Sequence, residues 1–193
     1  IWFIHEKTLG VIDFSNKEPV VIYLPELNNK MLSGFEFIYP VNENNIFLGG
    51  EKGFYHINYE KYKQTLPRLH IQIRTLSIIN KTDSLLFGGY YNNDKQVQDA
   101  DNIPSINYRW KTIRIEYSSS LFGYQANLEY SYRLKGYDNN WSEWTNRTEK
   151  EYTNLPFGKY TFELKVRNNL GNESLPATYA FIVLPPWYQT LWA

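Results

Sequence analysis

The chain has 193 residues, 42% hydrophobic and 21% charged, the composition of a folded protein with one large core or two small ones. Twenty basic side chains cancel twenty acidic ones, so there is no electrostatic case for nucleic acid or an anionic membrane as the main partner. No cysteine is present, which excludes disulfides and thiolate chemistry, and no apolar run approaches the roughly 18 residues of a membrane span. No signal peptide opens the chain; the first residues, IWFIHEK, read like the interior of a fold, as if cut from a longer protein.

Residues 1–64 carry a weak internal repeat. Ile1-Trp2-Phe3-Ile4 followed by Leu9-Gly10-Val11-Ile12-Asp13 resembles Ile46-Phe47-Leu48-Gly49 followed by Lys52-Gly53-Phe54-Tyr55-His56-Ile57-Asn58. The offset is about 43 to 45 residues, the size of one four-stranded propeller blade. Each copy reads as strand, tight turn with glycine, strand; Val20–Leu24 and Phe35–Tyr39 are further strand candidates. The competing reading is a stray pair of hairpins belonging to a β-sandwich formed by the later strands. Tyr59–Thr65 is polar and ends at Pro67, which biases Leu66 toward extended backbone and suits a domain connector.

Beyond it, Leu69, Ile71 and Ile73 alternate with polar residues, and the apolar parity then shifts to Leu76 and Ile78, predicting a bulge near Arg74-Thr75. Asn80–Ser84 turns the chain into Leu85-Leu86-Phe87, and residues 88–105 read as loop closed by Pro104. Strand order resumes over Tyr108–Tyr117 with Ile113, Ile115 and Tyr117 on one face, and Ser118–Gly123 leads onward.

The clearest strands flank residues 136–158. Leu128, Tyr130, Tyr132 and Leu134 alternate with polar residues, as do Tyr160, Phe162, Leu164 and Val166, so each strand has one buried face. Asp138-Asn139-Asn140 and Leu155-Pro156-Phe157-Gly158 supply the turns. Leu-Pro-x-Gly-x-Tyr entering a strand predicts a tyrosine corner, with the Tyr160 hydroxyl bonded back to the corner backbone. A last strand carries Tyr179, Phe181 and Val183 and stops at Pro185-Pro186, since proline donates no ladder bond. The expected fold is all-β, an immunoglobulin- or fibronectin-like antiparallel sandwich.

The same stretch resembles a known family. Tyr130–Asp138, Trp141-Ser142, Tyr152–Tyr160 and Val166-Arg167-Asn168-Asn169 with Gly171 are similar, in order and spacing, to the triple-tyrosine (Y_Y_Y) domain that follows β-propeller repeats in bacterial two-component and hybrid sensor regulators of the Bacteroidetes type. Tyr132, Tyr137, Tyr152 and Tyr160 are the candidates for the three tyrosines; Trp141, Leu155, Pro156 and Gly158 complete the motif.

The resemblance implies the end of a propeller over 1–66, the sandwich over 67–184 and a juxtamembrane tail over 185–193. Pro185 and Pro186 then form a stiff exit, and Trp187, Tyr188 and Trp192 lie at the bilayer surface beside a helix following Ala193. The other reading of the tail folds these aromatics onto the sandwich. The implied parent is a periplasmic sensor anchored in the inner membrane, a homodimer, with an oligosaccharide as ligand at the propeller and a histidine kinase or DNA-binding output outside this chain.

Catalytic chemistry is not legible. His5, His56 and His70 lack ligand spacing, Gly49-Gly50-Glu51-Lys52-Gly53 lacks the P-loop pattern, and no nucleophile elbow or selected carboxylate pair occurs. Asn80, Asn140, Asn146 and Asn172 head N-x-S/T triplets, which in a bacterial protein read as turn asparagines. The expectation is a non-enzymatic segment with no cofactor, metal or nucleic acid. The alternative is an accessory glycan-binding or adhesion module of a secreted enzyme. Tyr137, Trp141 and Trp144 either stack on a sugar or pack; the resemblance implies a core packing position for Trp141, and Trp144 is open between core and sugar stacking.

Overall fold

The computed structural model describes residues 1–15, 17–31, 36–65, 68–79, 84–89, 98, 103–110, 112–119 and 127–186. Leu66, Pro67, the turn at 80–83, most of the 88–105 loop, 120–123, Trp187, Tyr188 and Trp192 lie outside these residues. The chain divides into two compact units. One comprises Ile1–Arg68 with Leu121–Leu128 and Asn168–Asn172; the other comprises Leu69–Ser120, Glu129–Arg167 and Glu173–Ala193.

The first unit holds two three-stranded antiparallel sheets. Strands β1 (Trp2–His5), β2 (Thr8–Asp13) and β3 (Val20–Tyr23) form one. A 3-10 helix (Pro25–Lys30), which the residue pattern does not announce, leads toward the second, made of β4 (Ile38–Pro40), β5 (Asn45–Gly50) and β6 (Gly53–Asn58). Strand β4 is shorter than the Phe35–Tyr39 candidate, and Phe35 lies outside the described residues.

Both leading hairpins close on two-residue turns, at His5↔Thr8 and Gly50↔Gly53, so each position of one matches the position 45 residues on in the other. Glu6 and Lys7 both have positive φ, 49° and 62°, the geometry that matches a hairpin's twist. That alignment shows how the sheets use their faces. Leu9, Leu24, Ile46, Leu48 and Ile57 share one buried cluster with Trp2 and Ile4 packed against it. Trp2 and Leu9 match Phe47 and Phe54, which lie on the opposite face of their own sheet from Ile46, Leu48 and Ile57. The two sheets therefore pack front to back, as in a repeat array. On the other face of the first sheet the Phe3 ring covers Gly10, where an added Cβ would come within 2.4 Å of it.

Residues 59–65 are a helix, α1 (Tyr59–Thr65), where the sequence suggests a polar connector. The Asn58 side chain caps it, accepting from the Lys61 N–H at 2.7 Å. Tyr59 and Tyr62, three residues apart on one helix face, both pack into the unit's apolar core.

The second unit is a sandwich of two four-stranded sheets. The first contains β7 (Ile71–Ile79), β8 (Ser84–Phe87), β10 (Thr112–Ser119) and β12 (Glu149–Thr153). The second contains β9 (Ser105–Asn107), β11 (Glu129–Lys135), β13 (Gly158–Arg167) and β14 (Ala177–Leu184). Their strand orders are β12-β10-β7-β8 and β11-β13-β14-β9. The expected bulge is present: Glu116 faces Thr75 while Tyr117 faces Ile73, leaving Arg74 as the extra residue. Two elements differ from expectation. The stretch 108–110 is a turn, with Trp110 N–H bonded to Asn107 O, so the strand starts at Thr112. Strand β9 pairs parallel with β14, an exception in an otherwise antiparallel sandwich. Inward residues alternate as predicted, with Ile113, Ile115, Tyr117, Leu134, Phe162, Leu164, Val166, Phe181 and Val183 at 3% exposure or less.

Candidate functional site

Within the first unit lies a groove of about 1010 Å3, lined among others by Trp2, Asp13, Phe37, Glu43, Tyr59 and Lys63. Its polar corner is built by α1 against the end of β2. The Tyr59 hydroxyl donates to the Asp13 carboxylate at 2.9 Å, the Ser15 hydroxyl and amide also donate to it, and Lys63 Nζ stands 3.8 Å away. The Ser15 hydroxyl is the main reason the Asp13 carboxyl sits at about 2; burial pushes the other way, and the Ser15 amide, Tyr59 and Lys63 add to the lowering. Burial and the same carboxylate hold the Tyr59 hydroxyl well above its ordinary range. The Trp2 indole donates to Glu43 O at 3.2 Å and meets Tyr59 edge-on at 5.5 Å. Aromatic faces beside carboxylates and amides can hold a neutral, hydroxyl-rich ligand. Sequence reasoning missed this corner because its members come from strand, turn and helix far apart in the chain. Among the described residues, no three His, Cys, Asp or Glu side chains group as a metal site.

Acid should loosen the Asp13 corner. A carboxylate with a depressed folded-state pKa contributes stability that is present above its ordinary value of 3.8 and is lost as pH falls toward about 2. The stability difference between wild type and Asp13→Asn should therefore shrink between those limits. Thermal melts at steps of pH check this; a constant difference would mean the carboxylate is not linked to folding.

In the sandwich, two of the sequence-predicted tyrosines, Tyr132 and Tyr152, meet at Phe162, while Tyr160 packs on Phe181. The Tyr132 ring stacks on Phe162 at 6.1 Å, Tyr152 meets it edge-on at 6.3 Å, and Tyr117 lies 6.2 Å away. Tyr137 is half exposed and touches the edge of Tyr152 at 6.0 Å. The Lys150 ammonium stands over both the Tyr132 and Tyr152 rings, at 5.3 and 5.2 Å. Tyr152 donates to Asp138 Oδ2 at 2.9 Å, and the Leu134 N–H donates to the same oxygen at 2.8 Å. Tyr160 is buried and its hydroxyl donates to Pro156 O at 2.8 Å, with Leu155 and Gly158 in the same corner. Burial raises the hydroxyls of Tyr117, Tyr130, Tyr152 and Tyr160 above their ordinary value. Gly136 makes the turn after β11 possible: its φ is +94°, and a Cβ there would lie 2.7 Å from Lys159 O. Pro185 is half-buried and Pro186 buried just past the end of β14.

Trp141 is not in the core. It is half-buried on the outer face of the β11–β13 pair, where Arg133 and Lys165 lie 5.0 and 5.1 Å from its ring. Trp144 shares Lys165 at 4.8 Å and has Arg167 at 4.4 Å. The reason is register: Arg133, Lys165 and Arg167 all point outward from β11 and β13, so cations, not apolar side chains, meet the indoles. The sequence signal was present in the outward basic residues, but which loop would cover them was not.

The sequence model of the Y_Y_Y domain matches residues 121–184. No curated protein sequence matches the chain. Among solved structures, the extracellular domain of BT3049, assigned to the hybrid two-component systems of B. thetaiotaomicron, aligns over 91% of this chain and 24% of its own, at 16% identity and a TM-score of 0.62. Two structures of the extracellular domain of BT4673 from the same organism, assigned in one case to one-component and in the other to hybrid two-component systems, align over 96% and 97% of this chain, and 30% and 25% of their own, at 17% and 21% identity with TM-scores of 0.48. The chain thus spans about a quarter of the length of the first of these structures, and its likeness to BT3049 is one of fold. With Tyr132 and Tyr152 packed on Phe162 and the Tyr160 corner closed on Pro156, residues 121–184 carry the match to the Y_Y_Y domain.

Proposed function

We propose that this chain is a non-catalytic part of the extracytoplasmic sensor region of a membrane-bound two-component regulator. In this reading the first unit is the last part of a β-propeller, and the Y_Y_Y sandwich passes its state toward a transmembrane helix. The observation that carries the reading is the fold likeness to the BT3049 extracellular domain, which extends over 91% of the chain and so includes both units. The 45-residue match between hairpins and their front-to-back packing support the propeller assignment, because radial repetition needs one face of each blade to meet the opposite face of the next. The groove beside Asp13 and Trp2 is the proposed ligand site, and an oligosaccharide fits its mix of aromatic faces and hydrogen-bonding groups. The parent acts as a homodimer whose sandwiches shift against each other, and a ligand drives that shift only as far as it binds one arrangement better. Pro185 and Pro186 give the stiff exit; kinase or DNA-binding output lies elsewhere in the parent.

Cell fractionation tests the reading. The full-length parent carrying a protease site in the Glu51-Lys52 turn should sit in the inner-membrane fraction and be cleaved by protease added to spheroplasts. Recovery in the culture medium, or protection in spheroplasts, would sink it.

A further inference from the structure

The half-buried indoles of the sandwich are part of a larger arrangement. Five side chains alternate along the outer face in the order Arg133, Trp141, Lys165, Trp144, Arg167, each cation 4.4–5.1 Å from the ring it faces. Every cation also has a carboxylate: Arg133 with Glu163 at 2.5 Å, Lys165 with Glu173 at 2.9 Å, Arg167 with Glu129 at 2.7 Å. Lys135 reaches Glu163 as well, at 2.6 Å. Burial pushes the Glu163 carboxyl up, but hydrogen bonds from Lys135 and Arg133 outweigh it and hold it below its ordinary value.

The backbone that carries the two indoles runs beside β11, the last strand of its sheet. Thr145 and Tyr130 exchange two backbone bonds, at 2.7 and 2.9 Å, and Ser142 N–H donates to Tyr132 O at 2.8 Å. The Tyr132 N–H donates to Ser142 Oγ at 3.1 Å, and Ser131 Oγ donates to Ser142 O at 2.8 Å. Between these bonds Glu143 and Trp144 stand opposite Ser131 alone, one residue more than a regular ladder holds, and the resulting bulge lays Trp144 on the face. Ser131 and Glu163 point out of the sandwich by strand alternation, yet are only 1% and 8% exposed, because this segment and its ladder cover them.

An edge strand left bare presents unpaired N–H and C=O groups to any other chain. Here the edge of β11 is already paired, by a segment with no apolar anchor in the core. We infer that the Arg133–Trp141–Lys165–Trp144–Arg167 ladder is an edge guard: it clamps residues 141–145 onto β11, and without it the β11 edge pairs with the β11 edge of a second copy of this chain. Lys165 is the keystone, because among these three cations it alone touches both indoles.

Lys165→Met keeps length and flexibility and removes the charge, and at 23% side-chain exposure it leaves the core untouched. In the 193-residue chain, hydrogen exchange at the Tyr130 and Tyr132 amides should speed up by about tenfold while amides of β10 and β14 change by less than about threefold, local opening without global unfolding. The same variant should show concentration-dependent dimers by light scattering beyond those of wild type. Lys165→Arg should restore both readings, and Glu173→Gln, which removes only the ion pair, should leave both near wild type. Arg167→Met, one rung out, should shift exchange in the same direction. Wild-type exchange at Tyr130 and Tyr132 in Lys165→Met would overturn the clamp. Opened amides without added self-association would overturn the guarding role, and a Glu173→Gln effect equal to that of Lys165→Met would give the work to the ion pair.

Discussion

Phe162→Ala is expected to cost the sandwich about 3–5 kcal/mol, the usual range for removing a core phenylalanine. Phe162 is 0% exposed and lies on β13, paired with β11 on one side and β14 on the other. Its ring contacts Tyr117, Tyr132 and Tyr152, three aromatics from three different strands, so the cavity cannot close by moving one neighbour. A loss of that size is comparable to the whole stability of many domains, and the variant should melt far below wild type or fail to accumulate. Denaturant titration followed by near-UV circular dichroism measures it. Phe157, 58% exposed on the turn before β13, serves as the control, and its alanine variant should stay within about 0.5 kcal/mol. A Phe162→Ala protein as stable as wild type would mean that the tyrosines pack on one another without it.

Asp138→Ala should be nearly as damaging for a different reason. One carboxylate oxygen accepts both the Tyr152 hydroxyl and the Leu134 amide, and hydrogen bonds to a charged group are worth about 1.5–3 kcal/mol each. Tyr152 is 5% exposed, so its hydroxyl has no ready access to water once the acceptor is gone. The expected loss is about 3 kcal/mol or more, against about 1–2 for Tyr152→Phe, which removes the donor and leaves Asp138 satisfied by Leu134. Asp138→Asn retains an acceptor oxygen and should recover about half of the loss. Chemical denaturation of the two single variants and the double variant separates the shared term. Additive losses would show that Asp138 acts through the turn backbone alone, not through Tyr152.

Much of the sandwich is legible in the order of its residues. Alternation places Leu134, Phe162, Leu164, Val166, Phe181 and Val183 inside, and the parity shift locates the bulge at Arg74, because side-chain period is a local property of an extended chain. The Tyr160 corner is readable for the same reason: Leu-Pro-x-Gly-x-Tyr closes over four residues. Strand β12 is not legible, since Glu149–Thr153 has a single buried side chain, Tyr152, and gains its place by pairing with β10. Helix α1 is hidden by its polar composition, although Asn58 ahead of Glu60 and Lys63 is a capping signal.

The division between the two sources of information follows from range. The sequence by itself determined the all-β class, the inward face of the main strands, the turn residues and the family motif, all of which depend on neighbours a few positions apart. Tertiary structure alone decided where Trp141 and Trp144 lie, because their partners Arg133, Lys165 and Arg167 reach them only once β11 and β13 are in register. It also decided the corner at Asp13, where Tyr59 arrives 46 residues later along the chain. The parallel pairing of β9 with β14 was likewise beyond reading, since Ser105 meets Ile182 across a separation that no local period encodes.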